Sequence, residues 1–349
     1  SWTIVMAGGG TGGHVMPLLA VARELRSRGR RAVFVGTRQG LEARLVPAEG
    51  FPIEWIEAGA LKNVSAARRL RSLWQLPAGT MRCVSLLGRL RTRVVFSLGG
   101  FVAGPVVLAA WLRRIPCVAM EPNAWPGFTN RVMASFVRRA LVAFDETRRF
   151  FPRAEVTGSP VREEFFQLPA KPRSGTVHVL VTGGSQGSRT LNRAARECAE
   201  LPRDAPFAAR IRLQSGASET IASSPALTVT PFIDDMPAAF GEADLVVSRA
   251  GAITVAELAA AGKPSILVPF PFAADDHQTR NAEVLVKAGA ARMVRDAEMT
   301  GERLCSEIAS LAGEPGLLEK MAMAARGLSR PGAARRACEV LEEVAWEAR

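Results

Sequence analysis

Thr3-Ile4-Val5-Met6-Ala7-Gly8-Gly9-Gly10-Thr11-Gly12-Gly13-His14 is the stretch on which the fold turns. Thr3 to Met6 is a short apolar run of the kind a buried parallel strand requires, and Gly8 to Gly13 form a glycine-rich loop at its end. An apolar-periodic segment from Pro17 to about Arg28, stopped by Gly29, reads as the following helix, with Pro17 suited to its first turn. The arrangement recurs at Val177 to Val181, an apolar run followed by Gly183-Gly184-Ser185-Gln186-Gly187-Ser188 and a helical pattern through Leu191 to Cys198. Each loop alone is a weak signal. The first can be matched to G-x-G-x-x-G, whose amides and following helix N-terminus attract a diphosphate, but a turn that only packs helix on strand explains either one. Their recurrence in separate halves is the stronger observation.

Outward from the two loops, Ala32 to Val35, Val94 to Leu98, Leu227 to Thr230, Leu245 to Ser248 and Ser265 to Val268 read as strands alternating with helical patterns, which gives parallel α/β sheets. A chain of 349 residues exceeds the usual size of one core, so two domains are expected. The polar, proline-bearing segment from residue 167 to 176 divides them into 1–166 and 167–349, with the final helix free to pack back on the first domain. In open α/β sheets ligands bind at the carboxyl ends of the strands, so loops from two facing domains would share one cleft. Val94 to Leu112 is nineteen residues without a charge. It is long enough to test for a membrane span, but Gly99-Gly100, Gly104 and Pro105 break it into strand, loop and helix start.

Apolar residues make up 48% of the chain and charged residues 22%, a globular balance that excludes a disordered tail or linker. The net charge of +12 is uneven: residues 1–165 hold 24 Lys and Arg against 11 Asp and Glu, residues 166–349 hold 21 against 22. The first half should therefore seek an anionic partner. Five cysteines, without C-x-x-C spacing, argue against a disulfide framework or a zinc site and for a reducing compartment. No signal-peptide pattern precedes the first strand, so a cytoplasmic location is expected.

Several motifs can carry chemistry. The second strand ends Val35-Gly36-Thr37-Arg38 without the acidic residue that holds an NAD ribose, which disfavours NAD and leaves NADP open through Arg38. His14, just past the first loop, can take a proton from an acceptor hydroxyl or bind phosphate; capping the helix is the alternative. In Ser248-Arg249-Ala250-Gly251-Ala252-Ile253-Thr254-Val255-Ala256-Glu257, a glycine turn leads from strand to helix. Glu257 can accept from two ribose hydroxyls, or pair with Thr254 in a T-x-x-E capping box. In Asp275-Asp276-His277-Gln278-Thr279-Arg280-Asn281, Gln278 and Asn281 share a helix face and suit sugar hydroxyls, or belong to a solvated helix start. No D-x-D motif or histidine and carboxylate cluster is spaced for a metal, and no nucleic-acid-binding motif is recognisable.

Gly8 to Pro17, Gly183 to Ser188, Ser248 to Glu257 and Asp275 to Ala282, in this order, resemble the MurG family. These bacterial transferases of glycosyltransferase family 28 add N-acetylglucosamine to undecaprenyl-linked muramyl-pentapeptide. Gly99 to Pro105, Glu121-Pro122-Asn123, Gly158 to Arg162 and Phe232 to Met236 extend the resemblance over nearly the whole chain. It implies the α/β GT-B architecture of two Rossmann-like domains with parallel sheets facing a central cleft. It also implies UDP-N-acetylglucosamine as donor and inversion at the anomeric carbon; with no metal-spaced motif, no cofactor is expected. Carried over by motif, Ser185 would contact the diphosphate, Ile233 the uracil through its backbone, Glu257 the ribose and Gln278 the N-acetylglucosamine. Arg162 and the helix start Ala252, Ile253, Thr254, Val255 and Ala256 would join the nucleotide site. Thr11, Gly12, Gly13 and Asn123 would face donor sugar and acceptor, with His14 the candidate base. The chain departs from the family at Met120-Glu121-Pro122-Asn123, where His-Glu-Gln-Asn is common. Phe101 replaces a frequent tyrosine, and the chain contains no tyrosine at all.

The lipid-linked acceptor gives the charge asymmetry a role. Arg68, Arg69, Arg71, Arg82, Arg89, Arg91 and Arg93 are interleaved with Leu70, Leu73, Trp74, Leu76, Met81, Leu86 and Leu87, and Trp111 to Arg114 can join them. The mixture suits an anionic inner-membrane surface on its cytoplasmic face, or equally a helix with a buried stripe and a solvated arginine face. Competing functions are a related transferase acting on diacylglycerol, an epimerase with the same nucleotide cleft, and a non-catalytic basic module. The last leaves the motifs of the second half unexplained.

Overall fold

The computed structural model describes residues 2–9, 12–57, 66–169, 175–201, 208–217, 219 and 221–347, with side chains described except at 12, 66–76 and 208. The chain divides into two units, Ser1–Val161 with Gly332–Arg349, and Arg162–Pro331. The division falls just ahead of the expected 166/167 break. Phe165 is fully buried with its ring 5.1 Å from that of Phe240, which anchors this stretch in the second unit.

The first unit runs β1 (Thr3–Gly8), α1 (Gly12–Ser27), β2 (Arg31–Gly36), α2 (Glu42–Ala48), β3 (Ile53–Trp55), α3 (Ala66–Arg89), β4 (Thr92–Gly99), α4 (Ala103–Leu112), β5 (Cys117–Glu121), α5 (Phe128–Met133), β6 (Arg139–Val142) and β7 (Ala154–Val156). The strands form one parallel sheet in the order β3-β2-β1-β4-β5-β6-β7. Alternate residues of β1 serve opposite faces. Ile4 and Met6 pack with Leu18 and Leu25 of α1, while Val5 and Ala7 pack with Leu86 and Leu87 of α3 and Val106 of α4. Burial on both faces is why the strand reads as a continuous apolar run.

Val94 to Leu112 becomes β4, a turn and α4. Among the described residues no helix is long and apolar enough to cross a membrane. α1 begins at Gly12, so Pro17 lies inside the helix rather than in its first turn. Its missing N–H removes the helical bond that the Gly13 carbonyl would otherwise accept.

The second unit contains β8 (Thr176–Thr182), α6 (Arg189–Glu200), β9 (Ala208–Gln214), β10 (Leu227–Thr230), α7 (Met236–Glu242), β11 (Leu245–Ser248), α8 (Ala252–Ala261), β12 (Ser265–Leu267), α9 (His277–Lys287), β13 (Ala291–Met293), α10 (Gly301–Gly313) and α11 (Leu317–Gly327). Its parallel sheet has the order β10-β9-β8-β11-β12-β13. Val179 and Val181 share a core with Leu191 of α6 and Leu304 and Ile308 of α10.

α12 (Ala333–Glu347) belongs to the first unit, where Ala337, Val340, Leu341 and Val344 complete the core over β1 and α1. Arg336 grips both carboxylate oxygens of Glu155, at 2.6 and 3.0 Å, and also bonds Glu343. Arg28 and Arg30 both reach Glu342.

Cys198 of α6 and Cys305 of α10 form a disulfide across a separation of 107 residues. This corrects the expectation of unpaired thiols. Two helices lying side by side bring the pair together, with Glu197 Oε2 accepting from the Gly301 N–H at 3.0 Å, and no spacing motif announces such a contact. Cys83, Cys117 and Cys338 are buried thiols, and burial pushes Cys83 up to about 11 and the other two to about 12.

Candidate active site

In each sheet the strand order reverses at one point, between β1 and β4 and between β8 and β11. Loops leaving adjacent strands at such a switch point diverge to opposite faces and open a crevice for a ligand. Both glycine-rich loops leave their sheets there.

In the second unit, the loop after β8 is closed by the polar end of β9. Gln214, 1% exposed, donates from Nε2 to the Gly184 carbonyl at 2.9 Å and the Thr182 hydroxyl at 3.2 Å, and accepts the Ile233 N–H at 3.0 Å. Gly187 has φ 72° and lies so close to the Ser215 carbonyl that a side chain there would overlap it. Ser185 is exposed at the turn of the loop. Ser188 caps α6 by accepting from Leu191 N–H and receives Arg249 Nη2 at 2.7 Å. The other guanidinium nitrogen of Arg249 bonds Asp296 at 2.6 Å and the Val268 and Pro269 carbonyls. One cation therefore ties together the loops after β8, β11, β12 and β13.

α8 is capped by Gly251, not by Thr254, so the T-x-x-E capping box does not form. The N–H groups of Ala252, Ile253 and Thr254 precede the first helical bond, from Val255 to the Gly251 carbonyl, and carry the positive end of the helix dipole. Val255 and Ala256 continue the turn, which places Glu257 in the second. Glu257 has no hydrogen bond among the described residues. Burial pushes its carboxyl up to about 7, against the pull of the Arg162 charge. Arg162 lies over the Phe165 ring at 5.1 Å. On α9, Gln278 Oε1 accepts from the N–H groups of Ala250 at 3.2 Å and Phe270 at 3.0 Å, which turns its amide nitrogen outward as the donor. Asn281 is fully buried and donates to the Ala250 carbonyl, so it braces the turn rather than facing a ligand.

In the first unit, Thr11 lies outside the described residues. Gly12 and Gly13 open α1, and His14 Nδ1 sits 3.3 Å from the Gly9 carbonyl. Since a carbonyl only accepts, this bond puts the proton on Nδ1 and makes Nε2 the basic nitrogen. Glu121, 2% exposed, receives Asn123 N–H and Nδ2 on one oxygen, and Gly127 N–H and Asn130 Nδ2 on the other, all at 2.9–3.0 Å. Burial raises its pKa and the four donors oppose that rise. Asn123 is thereby held in a fixed turn, with Thr147 donating to its carbonyl at 3.1 Å. Met120 is fully buried in β5 and packs in the core.

Gln214 and Arg249 escaped the sequence reading as site residues, and so did the hub role of Glu121. Each is a polar residue at or just past the carboxyl end of a strand, which is the local signal they share. Among the described residues no cluster could hold a metal ion.

Residues 4–142 match the glycosyltransferase family 28 N-terminal domain and residues 178–336 its C-terminal domain. The UDP-N-acetylglucosamine–N-acetylmuramyl-(pentapeptide) pyrophosphoryl-undecaprenol N-acetylglucosamine transferase of Solibacter usitatus is 58% identical, over 98% of this chain and 96% of that protein. The same-named enzyme of Nitrosococcus oceani is 44% identical over 98% of both. The crystal structure of Acinetobacter baumannii MurG superposes with a TM-score of 0.81 at 33% identity, covering 98% of this chain and all of that one. A calicheamicin glycosyltransferase, with a TM-score of 0.73 at 17% identity, shares the fold. The chain is an α/β protein of the GT-B type and belongs to glycosyltransferase family 28.

Proposed function

We propose that this enzyme transfers N-acetylglucosamine from UDP-N-acetylglucosamine to the 4-hydroxyl of undecaprenyl-diphospho-N-acetylmuramoyl-pentapeptide, forming the disaccharide-linked lipid of peptidoglycan synthesis. The observation that carries this reading is the 58% identity, over 98% of the chain, to a transferase of that name. The second unit holds the nucleotide. Glu257 accepts the two ribose hydroxyls, which supplies the hydrogen bonds it lacks. The Ile233 N–H is committed to Gln214, so uracil is met by the Ile233 carbonyl. Ser185 and the loop amides, the first-turn amides Ala252 to Thr254 and the charge of Arg162 receive the diphosphate, and the Gln278 amide donates to the sugar. Thr11, Gly12, Gly13 and Asn123 in the first unit face sugar and acceptor.

His14 Nε2 takes the proton of the acceptor hydroxyl as its oxygen bonds C1 from the face opposite UDP. The bond from C1 to the diphosphate oxygen breaks and UDP leaves, so the anomeric centre inverts. Charge developing on UDP meets amide dipoles already in place. The direct test is transfer from UDP-N-acetylglucosamine to a short-chain lipid acceptor. Turnover on diacylglycerol instead, or epimerisation of the donor alone, overturns the substrate assignment.

The membrane contact proposed for the first unit centres on the end of α4, where Trp111 and Leu112 are more than half exposed beside the exposed Arg113 and Arg114. In the described part of α3, Cys83, Leu86 and Leu87 are buried, Met81 is exposed, and Arg82 and Arg89 pair with Glu57 and Glu54. The earlier arginines and apolar residues, Arg68 to Leu76, lie outside the described side chains. Vesicles rich in phosphatidylglycerol should retain the protein in a salt-dependent way. Equal retention on neutral phosphatidylcholine rules out an anionic inner-membrane surface as partner.

A further inference from the structure

Glu42 is the first residue of α2 and only 1% exposed, at a helix start where a glutamate ordinarily stays in water. Its side chain folds back between the loops that follow the neighbouring strands β1 and β2. Oε1 accepts from the Thr37 N–H at 2.9 Å and the Thr37 hydroxyl at 3.1 Å. Three glycines close around the rest. A Cβ on Gly9 would lie 2.6 Å from the Glu42 carboxyl carbon, one on Gly36 would lie 2.6 Å from its Cγ, and one on Gly40 would overlap the carboxyl group. Filling space does not account for a carboxyl here, because burying one is far costlier than burying an apolar group of equal size.

Gly9 is also the residue whose carbonyl engages His14 Nδ1. The contacts are continuous: the Glu42 carboxyl lies against the Gly9 Cα, and the Gly9 carbonyl faces the imidazole. We propose that Glu42 is a positioning residue that fixes the Gly9 carbonyl so that His14 keeps its proton on Nδ1 and presents Nε2. The inference deepens the reading of His14 as base and rests on it for its catalytic consequence, not for its structural one.

The test uses the full chain, whose three histidines, His14, His178 and His277, make ring-nitrogen NMR assignable. Glu42→Gln keeps the volume but replaces an acceptor with a donor. It should convert His14 from the Nδ1–H tautomer to a mixture and lower kcat roughly 10- to 100-fold, as misplacement of a reacting group does. The donor KM and UDP affinity should stay within about two-fold. In a double-mutant cycle, Gly9→Ala should be severe in the parent and mild beside Glu42→Ala, where the methyl has room. An unchanged His14 tautomer in Glu42→Gln, or additive effects in the cycle, overturns the proposal even if Glu42→Gln is slow. His14→Ala with a rate within a few-fold of the parent overturns the base reading separately.

Discussion

Glu121 and Glu257 are both carboxyls near a switch point of a parallel sheet, the first buried and the second partly exposed, and they differ in their partners. Glu121 in the first unit receives four hydrogen bonds from Asn123, Gly127 and Asn130. Among the described residues Glu257 in the second receives none, and Arg162 is the one charge acting on it. A saturated buried carboxylate is an internal brace. A partly exposed one without a protein hydrogen bond leaves its oxygens open to a ligand. The two therefore separate a residue that shapes its surroundings from one proposed to meet the ribose.

The largest test of this contrast is Glu121→Ala, which removes the shared acceptor of four donors, one of them buried, and should cost about 2 kcal/mol or more. All six tryptophans lie in the first unit, so their fluorescence during denaturation reports that unit alone. A loss under about 1 kcal/mol would break the contrast from the Glu121 side. Glu257→Ala should leave folding intact and weaken UDP binding about 100-fold, since two charge-assisted hydrogen bonds disappear. Calorimetric titration with an unchanged Kd would return Glu257 to a structural role.

The pH dependence follows from the raised pKa of Glu257. Its neutral form suits the folded, ligand-free protein, so the stabilisation is complete below the ordinary value of 4.5 and is lost as pH rises through about 7. Glu257→Gln should flatten that decline. Ribose needs the ionised form, so parent UDP affinity, measured relative to Glu257→Gln, should rise about 10-fold from pH 6 to pH 8. A falling ratio would contradict the ribose reading. Smallest is Arg162→Ala: losing a cation that lowers the Glu257 pKa should move the midpoint of that pH profile upward by roughly one unit or less. A downward shift would mean that the two charges do not interact.

The parts legible in the sequence were those written in local patterns. Thr3 to Met6 and Val177 to Val181 read as strands because burial on both faces demands unbroken apolar runs. The glycine loops read as loops because little else makes such turns. What escaped was written in contacts between distant segments. The Cys198–Cys305 pair depends on α6 lying beside α10, and Gln214 gains its meaning only where β9 ends next to the loop after β8. Local pattern also misled at two places. Thr254 and Glu257 have capping-box spacing, yet Gly251 starts the helix three residues sooner because its extended backbone already turns the chain into α8. Pro17 was placed in a first helical turn that the flexible Gly12-Gly13 pair starts earlier.

The return of α12 to the first unit has a consequence for the order in which the molecule is made. Ala337, Val340, Leu341 and Val344 lie in the same core as Ile4 and Met6. At a synthesis rate of roughly 5–20 residues per second, the first unit must wait while the ribosome completes the second. During that interval the face of β1 and α1 that α12 will cover has no native lid. The unit whose sequence emerges first is thus the last to be finished, and a nascent chain stopped at Pro331 would hold a complete second unit beside an uncapped first.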